Sequence, residues 1–215
     1  MAIASKLTAV GILVISIALG FLSFYLFSEC PKEQKKKHLE ELTSLLINFV
    51  VFIWLGKIVL NLSVFILDPL SILAYPSDSS SFYFAITLLV LLLFYKAKRK
   101  RMHVLPLLES FAFVFLISSF VYECIQVVLE NHPYAFGYLL LLALLIMGFF
   151  FLREHLTISL ILILLITAWS FGILLLAITQ PFVTVFGYMM APWFIGIFFI
   201  TSVGSLLYRL RKRRL

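Results

Sequence analysis

Apolar residues fill this chain in long blocks, and polar residues collect between the blocks instead of recurring inside them. Seven such blocks fall at 7–28, 43–67, 78–95, 105–129, 134–152, 157–179 and 182–208. A helix needs roughly 20 apolar residues to cross a hydrocarbon core about 30 Å thick, so the pattern predicts an all-α integral membrane protein with seven transmembrane helices. The block at 78–95 is the least regular, because it opens on the polar residues Asp78 to Ser81. The joining stretches are short, which predicts one polytopic domain over 1–215 without a soluble appendage. The longest, "LDPLSILAYPSDSSS" from Leu67 to Ser81, holds two prolines and an Asp/Ser cluster suited to turns, and its "LSILAY" is expected to lie flat in the interface. The other outside connections reduce to "ENHP" (Glu130 to Pro133) and "TQP". No internal repeat or pair of broken helices points to the architecture of many secondary transporters.

Composition agrees: 63% of the 215 residues are hydrophobic and 13% charged, against about 25% charged in soluble domains. The net charge of +7 takes its meaning from placement. Lys32, Lys35, Lys36 and Lys37 sit in the first loop, Lys96, Lys98, Arg99, Lys100 and Arg101 in the third, Arg153 in the fifth, and Arg209, Arg211, Lys212, Arg213 and Arg214 at the end. Only Lys6 falls on the opposite side, so the positive-inside rule places the N-terminus outside and the C-terminus in the cytoplasm. The same clusters suit anionic lipid at the cytoplasmic rim. Nucleic acid is a poor partner, since each cluster ends a helix and none is interleaved with aromatic residues. The first block is too long for a signal peptide and is expected to be retained. Glu29 before Cys30 spoils a lipoprotein box. Cys30 and Cys124 fall on opposite faces, which argues against a disulfide, and two lone cysteines make no metal site; no cofactor is implied.

The candidate chemistry lies in intramembrane charge. Lys57 is the only formal charge between Ser44 and Leu67, and an ionisable group at that depth costs on the order of 3 kcal/mol unless partnered. The fourth block supplies Glu109 and Glu123. At 1.5 Å per residue, Lys57 lies about 21 Å and Glu123 about 27 Å from the cytoplasmic end of its own block. A lysine side chain spans such a difference, so a Lys57–Glu123 pair is geometrically allowed. Glu109, about 6 Å above the rim, is expected to meet Lys100, Arg101 or headgroup ammoniums. Two readings of Lys57 stay open: a structural pair or a snorkelling lysine, and a substrate-facing group. His38, His103 and His155 stand at helix ends beside basic residues, where solvated histidine is the default, and His132 caps the turn into the fifth block. No Ser/His/Asp set can be assembled on one side of the membrane.

The order of "LGKIVLNLSVF", "DPLSIL", "SFY", "KAKRKR", "LESFAF", "HPYAF" and "FGYMMAPWFIG…LLYRLRKR" resembles prolipoprotein diacylglyceryl transferase over nearly the whole chain. That resemblance implies a bacterial cell-membrane protein whose relatives move a diacylglyceryl group from phosphatidylglycerol to a lipobox cysteine. It places Lys57 at a family arginine and Glu109 at a family aspartate. Tyr83 stands where the family has a histidine, Glu123 where it has an essential arginine, and Gln126 where it has an asparagine. The family's helix 6 arginine falls on the uncharged "AWSFG", its helix 1 tyrosine on Val10, and its outer head region on "ENHP". A carboxylate at Glu123 would repel the phosphate an arginine holds, and a tyrosine, with its pKa near 10, is a poor substitute for a histidine in proton transfer. The expectation is therefore a non-catalytic relative that binds a lipid, a lipoprotein anchor or a partner's transmembrane helix. Two alternatives stand beside it: a divergent lipid transferase using Tyr83 and Glu123, and a small transporter using Lys57 and Glu123 as a relay.

Overall fold

The computed structural model describes residues 2–28, 30–69, 78–100, 104–130 and 134–214. The predicted interfacial stretch "LSILAY" and His103 and His132 lie outside them. The described elements are α1 (Ala2–Phe27), α2 (Lys32–Leu60), α3 (Leu62–Leu67), α4 (Ser79–Lys100), α5 (Val104–Glu130), α6 (Ala135–Arg153), α7 (Ile158–Thr179), β1 (Thr184–Val185), β2 (Tyr188–Met189) and α8 (Pro192–Arg214). Among the described residues, seven helices are long and apolar enough to cross a membrane, all but α3. The chain is an all-α seven-span membrane protein, as its hydrophobic blocks predict.

Contacts divide it into two compact units, one of Pro31–Leu107 and one of Met1–Cys30 with Leu108–Leu215. In the first, α2 starts well before its apolar block. Pro31 is its N-cap, and the polar run from Lys32 to Glu41 consists largely of good helix formers. Glu41 in this run pairs with Lys96 of α4 at 3.6 Å. The two helices approach closely where side chains are small: Ser81 and Ala85, one turn apart, are fully buried, and a Cβ on Gly56 would lie 3.0 Å from the Ser81 carbonyl oxygen. Small residues let backbones come near enough for dense packing in a bilayer. The block predicted as continuous to 67 breaks at Asn61, whose backbone N–H and Nδ2 both donate to the Lys57 carbonyl, at 3.1 and 3.0 Å. Asn competes for backbone in this way, so α2 ends at Leu60 and only the short α3 follows.

The polar start of α4 is its cap. The N–H of Ser81 donates to Asp78 Oδ1 at 3.0 Å, and the Ser81 hydroxyl donates to the same oxygen, supplying the acceptor that a helix N-terminus lacks. Burial pushes the Asp78 carboxyl up, but the hydrogen bonds from Ser81 and Ser80 outweigh it and hold the group below its ordinary value. A lowered folded-state pKa means stability that is present above the unfolded pKa and lost as pH falls through the folded one. Asp78→Ala should cost about 1 kcal/mol at neutral pH. The gap between the thermal midpoints of variant and wild type should close below about pH 4; an equal gap at both ends of the range would exclude the cap.

In the second unit, α5 runs through the core. Ala112, Leu116, Ser119 and Glu123 are all buried, at the helical spacing that puts them on one face. Against α5 lies α1, with Ser16 and Phe24 buried and Gly20 between them; the rings of Phe24 and Phe113 meet edge to face at 5.8 Å. The buried side of α6 carries Tyr138, Leu142, Leu145 and Phe149, and that of α7 includes Ile161, Ser170 and Ile173.

The seventh predicted block, 182–208, is corrected at its start. Helix α8 begins at Pro192, and the preceding residues form an antiparallel hairpin pairing Thr184 with Met189 and Val185 with Tyr188. The reason is local. Pro181 follows the end of α7, Pro192 suits the first turn of α8, and the residues between are rich in β-branched side chains. Phe186 and Gly187 both have positive φ, 51° and 80°, as a tight two-residue hairpin turn requires. Phe186 is a bulky residue in an unfavourable conformation, held by its ring against Phe115 at 5.9 Å and Tyr122 at 5.6 Å. Phe115 lies about 17 Å along α5 from its start at Val104, so the hairpin tip packs against the middle of a spanning helix. The short outside turn "TQP" instead opens a re-entrant loop that folds back onto α5, with Val183, Val185 and Met190 buried and Pro181, Gly187 and Met189 exposed; non-helical backbone at membrane depth is tolerated where protein partners it.

Candidate functional site

Glu123 is 2% exposed, and among the described residues its Oε1 has no hydrogen-bond partner. Ser119, one turn earlier on α5, is buried with it; the hydroxyl of Ser118, also without a partner among the described residues, is turned toward Gly20 of α1 instead. Across from Glu123, Tyr138 of α6 lies within its electrostatic reach and beside Ser119; its phenol accepts a hydrogen bond from Trp169 Nε1 of α7 at 3.1 Å. Three helices of one unit thus bring a carboxyl, a hydroxyl, a phenol and an indole to one apolar interior. Buried polar groups in proteins are nearly always satisfied, and an ionisable one inside a membrane is a functional site by default. The set offers acceptors and adaptable hydroxyls to a donor. Among the described residues no group of three His, Cys, Asp or Glu can hold a metal ion.

Gln126, one turn beyond Tyr122, donates to the Tyr122 phenol at 3.2 Å, and the hairpin closes over the same phenol: a Cβ at Gly187 would lie 3.0 Å from it. Glu123 and Gln126 thus share a helix segment that the hairpin tip covers. Glu109 lies lower on α5 and accepts from Arg153 Nε of α6 at 3.1 Å, a partner the sequence did not suggest; the side chains of Lys100 and Arg101 lie outside the described residues. Lys57 and Tyr83 belong to the other unit. Lys57 is buried in the last turn of α2, where a cation is favoured by the helix dipole. Its ammonium stands 5.7 Å from the centroid of the Trp54 ring, within cation–π range. Tyr83 is half-buried on α4, its ring edge to face with Phe82 at 6.4 Å. Cys30 and Cys124 are free thiols.

Ser118, Ser119, Tyr122, Tyr138, Trp169 and the Phe186–Gly187 turn were not singled out from the sequence. A signal existed for the turn, in two prolines bracketing a β-branched run with a glycine. For the serines there was none, since only burial separates them from serines facing lipid or solvent. None of the protein-family models, curated proteins or solved structures compared with this chain matches it.

Proposed function

We propose that this protein is a non-catalytic membrane protein, built on the plan of prolipoprotein diacylglyceryl transferase, that binds the polar part of a lipid or lipoprotein anchor in the bundle formed by α5, α6 and α7. The observation that supports this reading is the buried carboxyl oxygen of Glu123, which has no hydrogen-bond partner among the described residues, on the helix face that also carries Ser119 and within electrostatic reach of Tyr138. A carboxylate repels phosphate, so the group it receives is a donor: a headgroup hydroxyl or ammonium, or the amide of an acylated chain terminus. The absence of catalysis rests on the resemblance, which puts Tyr83 and Glu123 in the places of a histidine and an arginine.

Native mass spectrometry of the purified protein should find a lipid or lipidated peptide retained in near-stoichiometric amount. Incubation with phosphatidylglycerol and a lipobox peptide should leave the peptide unmodified. A protein that carries no amphiphile, or one that transfers the diacylglyceryl group, would overturn the proposal.

A further inference from the structure

A second feature of the same unit lies far from Glu123, at the basic end of the last two helices. Between α7 and α8 runs a groove of about 650 Å³ whose lining includes Ser159 and Ile163 on one side and Gly204 and Tyr208 on the other, with Arg209 and Lys212 at its mouth. Among the described residues nothing lies within 4 Å of where a Cβ on Gly204 would sit, so the trough stays open because this position has no side chain. Arg209 is held in place: Nη1 donates to the Ser159 hydroxyl at 2.7 Å and Nη2 to that of Thr157 at 3.2 Å. A guanidinium has donors to spare beyond these, and Lys212, three residues on, shares its helix face.

We infer that this groove seats one anionic phospholipid of the cytoplasmic leaflet, its phosphate at Arg209 and Lys212 and an acyl chain along Gly204 and Ile163. Charge complementarity selects the headgroup, since a fixed guanidinium and an ammonium at one mouth match a phosphate. The trough selects a lipid over a soluble anion or acidic peptide: it leads away from the basic mouth into the apolar spans Ile158–Thr179 and Pro192–Lys212, where only hydrocarbon is at home. Tyr208, 72% exposed beside the mouth, is the amphipathic ring expected at headgroup level. This site is independent of the one around Glu123.

The test uses the full chain in detergent, titrated with dioleoylphosphatidylserine and dioleoylphosphatidylcholine and read by native mass spectrometry. The serine lipid should bind at least about tenfold more tightly. The double variant Arg209→Ala/Lys212→Ala should weaken it about thirtyfold, the effect of two basic side chains near an anionic headgroup. Gly204→Leu, which fills the trough in open space, should also abolish tight binding with all charges intact. Lys36→Ala/Lys37→Ala, which removes the same charge from exposed positions of α2, should change the affinity less than about twofold, as scattered surface charge does. An equal loss in that control, unchanged binding in Gly204→Leu, or displacement of the lipid by equimolar inorganic phosphate would each overturn the inference.

Discussion

Glu123→Leu is expected to make the protein more stable and to empty it. The carboxyl is almost wholly buried and one oxygen lacks a hydrogen-bond partner among the described residues, so the folded state carries a desolvation penalty that hydrogen bonding does not fully offset. Leucine has a similar volume and no polar atom. Its gain should be about 1–3 kcal/mol, which in a chain of this size corresponds to several degrees in thermal midpoint. The retained amphiphile should be lost in the same variant, because a group that binds a ligand at the expense of stability is the usual form of a functional site. Glu123→Gln, nearly isosteric and still polar, should sit close to wild type in stability. Thermal unfolding in detergent and in nanodiscs, with mass spectrometry of each sample, separates the outcomes. A destabilised Glu123→Leu protein that still holds its lipid would make Glu123 a packing residue and remove the basis of the functional proposal.

Gly20→Val should be among the most damaging single changes in α1. A Cβ there would collide with the Ser118 hydroxyl and come within 2.9 Å of the Val114 carbonyl oxygen. The hydroxyl can rotate away, but the carbonyl is helix backbone and cannot, so α1 and α5 must separate. Overpacking of this kind costs about 1–3 kcal/mol for a small insertion and more for a branched one, and in a bilayer the lost van der Waals contact is a main source of helix association. Gly20→Ala should lie between wild type and Gly20→Val. Adding Ser118→Gly should recover part of the Gly20→Ala loss, an interaction of about 0.5–3 kcal/mol in a double-mutant cycle. Additive losses, or a Gly20→Val protein as heat-resistant as wild type, would mean that the two helices do not pack at this point.

The spans were legible in the sequence because the bilayer imposes them: a run such as Ile158 to Thr179 has no other stable environment. Apolarity marks the membrane, however, and not the backbone conformation within it. Hydropathy alone therefore assigns "VTVFGYM" to a helix and starts α2 at 43, although its charged turns from Lys32 are helical. The break at Asn61 depends on one side chain bonding one carbonyl, a local event that hydrophobic blocks do not register. At the candidate site, Glu123 stood out because a carboxylate in an apolar run is costly anywhere. Its companions did not, since nothing in the chain's periodicity brings Ser119, Tyr138 and Trp169 together, just as nothing near Glu109 names Arg153, 44 positions away.

The re-entrant hairpin also constrains the order in which the protein can be made. Its two strands of two residues each pair with one another, and lipid offers no partner for the polar backbone left over. It can settle at membrane depth only once Phe115 and Tyr122 are there to receive it. Synthesis from the N-terminus meets this condition, because α5 leaves the ribosome about 60 residues before Phe186 and has time to insert. A fragment of α6 to α8 made without α1 to α5 emits the hairpin with no receptor in place. Such a fragment would have to hold the loop at the bilayer surface until its partner fragment arrived, and quality-control proteases at the translocon would meet it there.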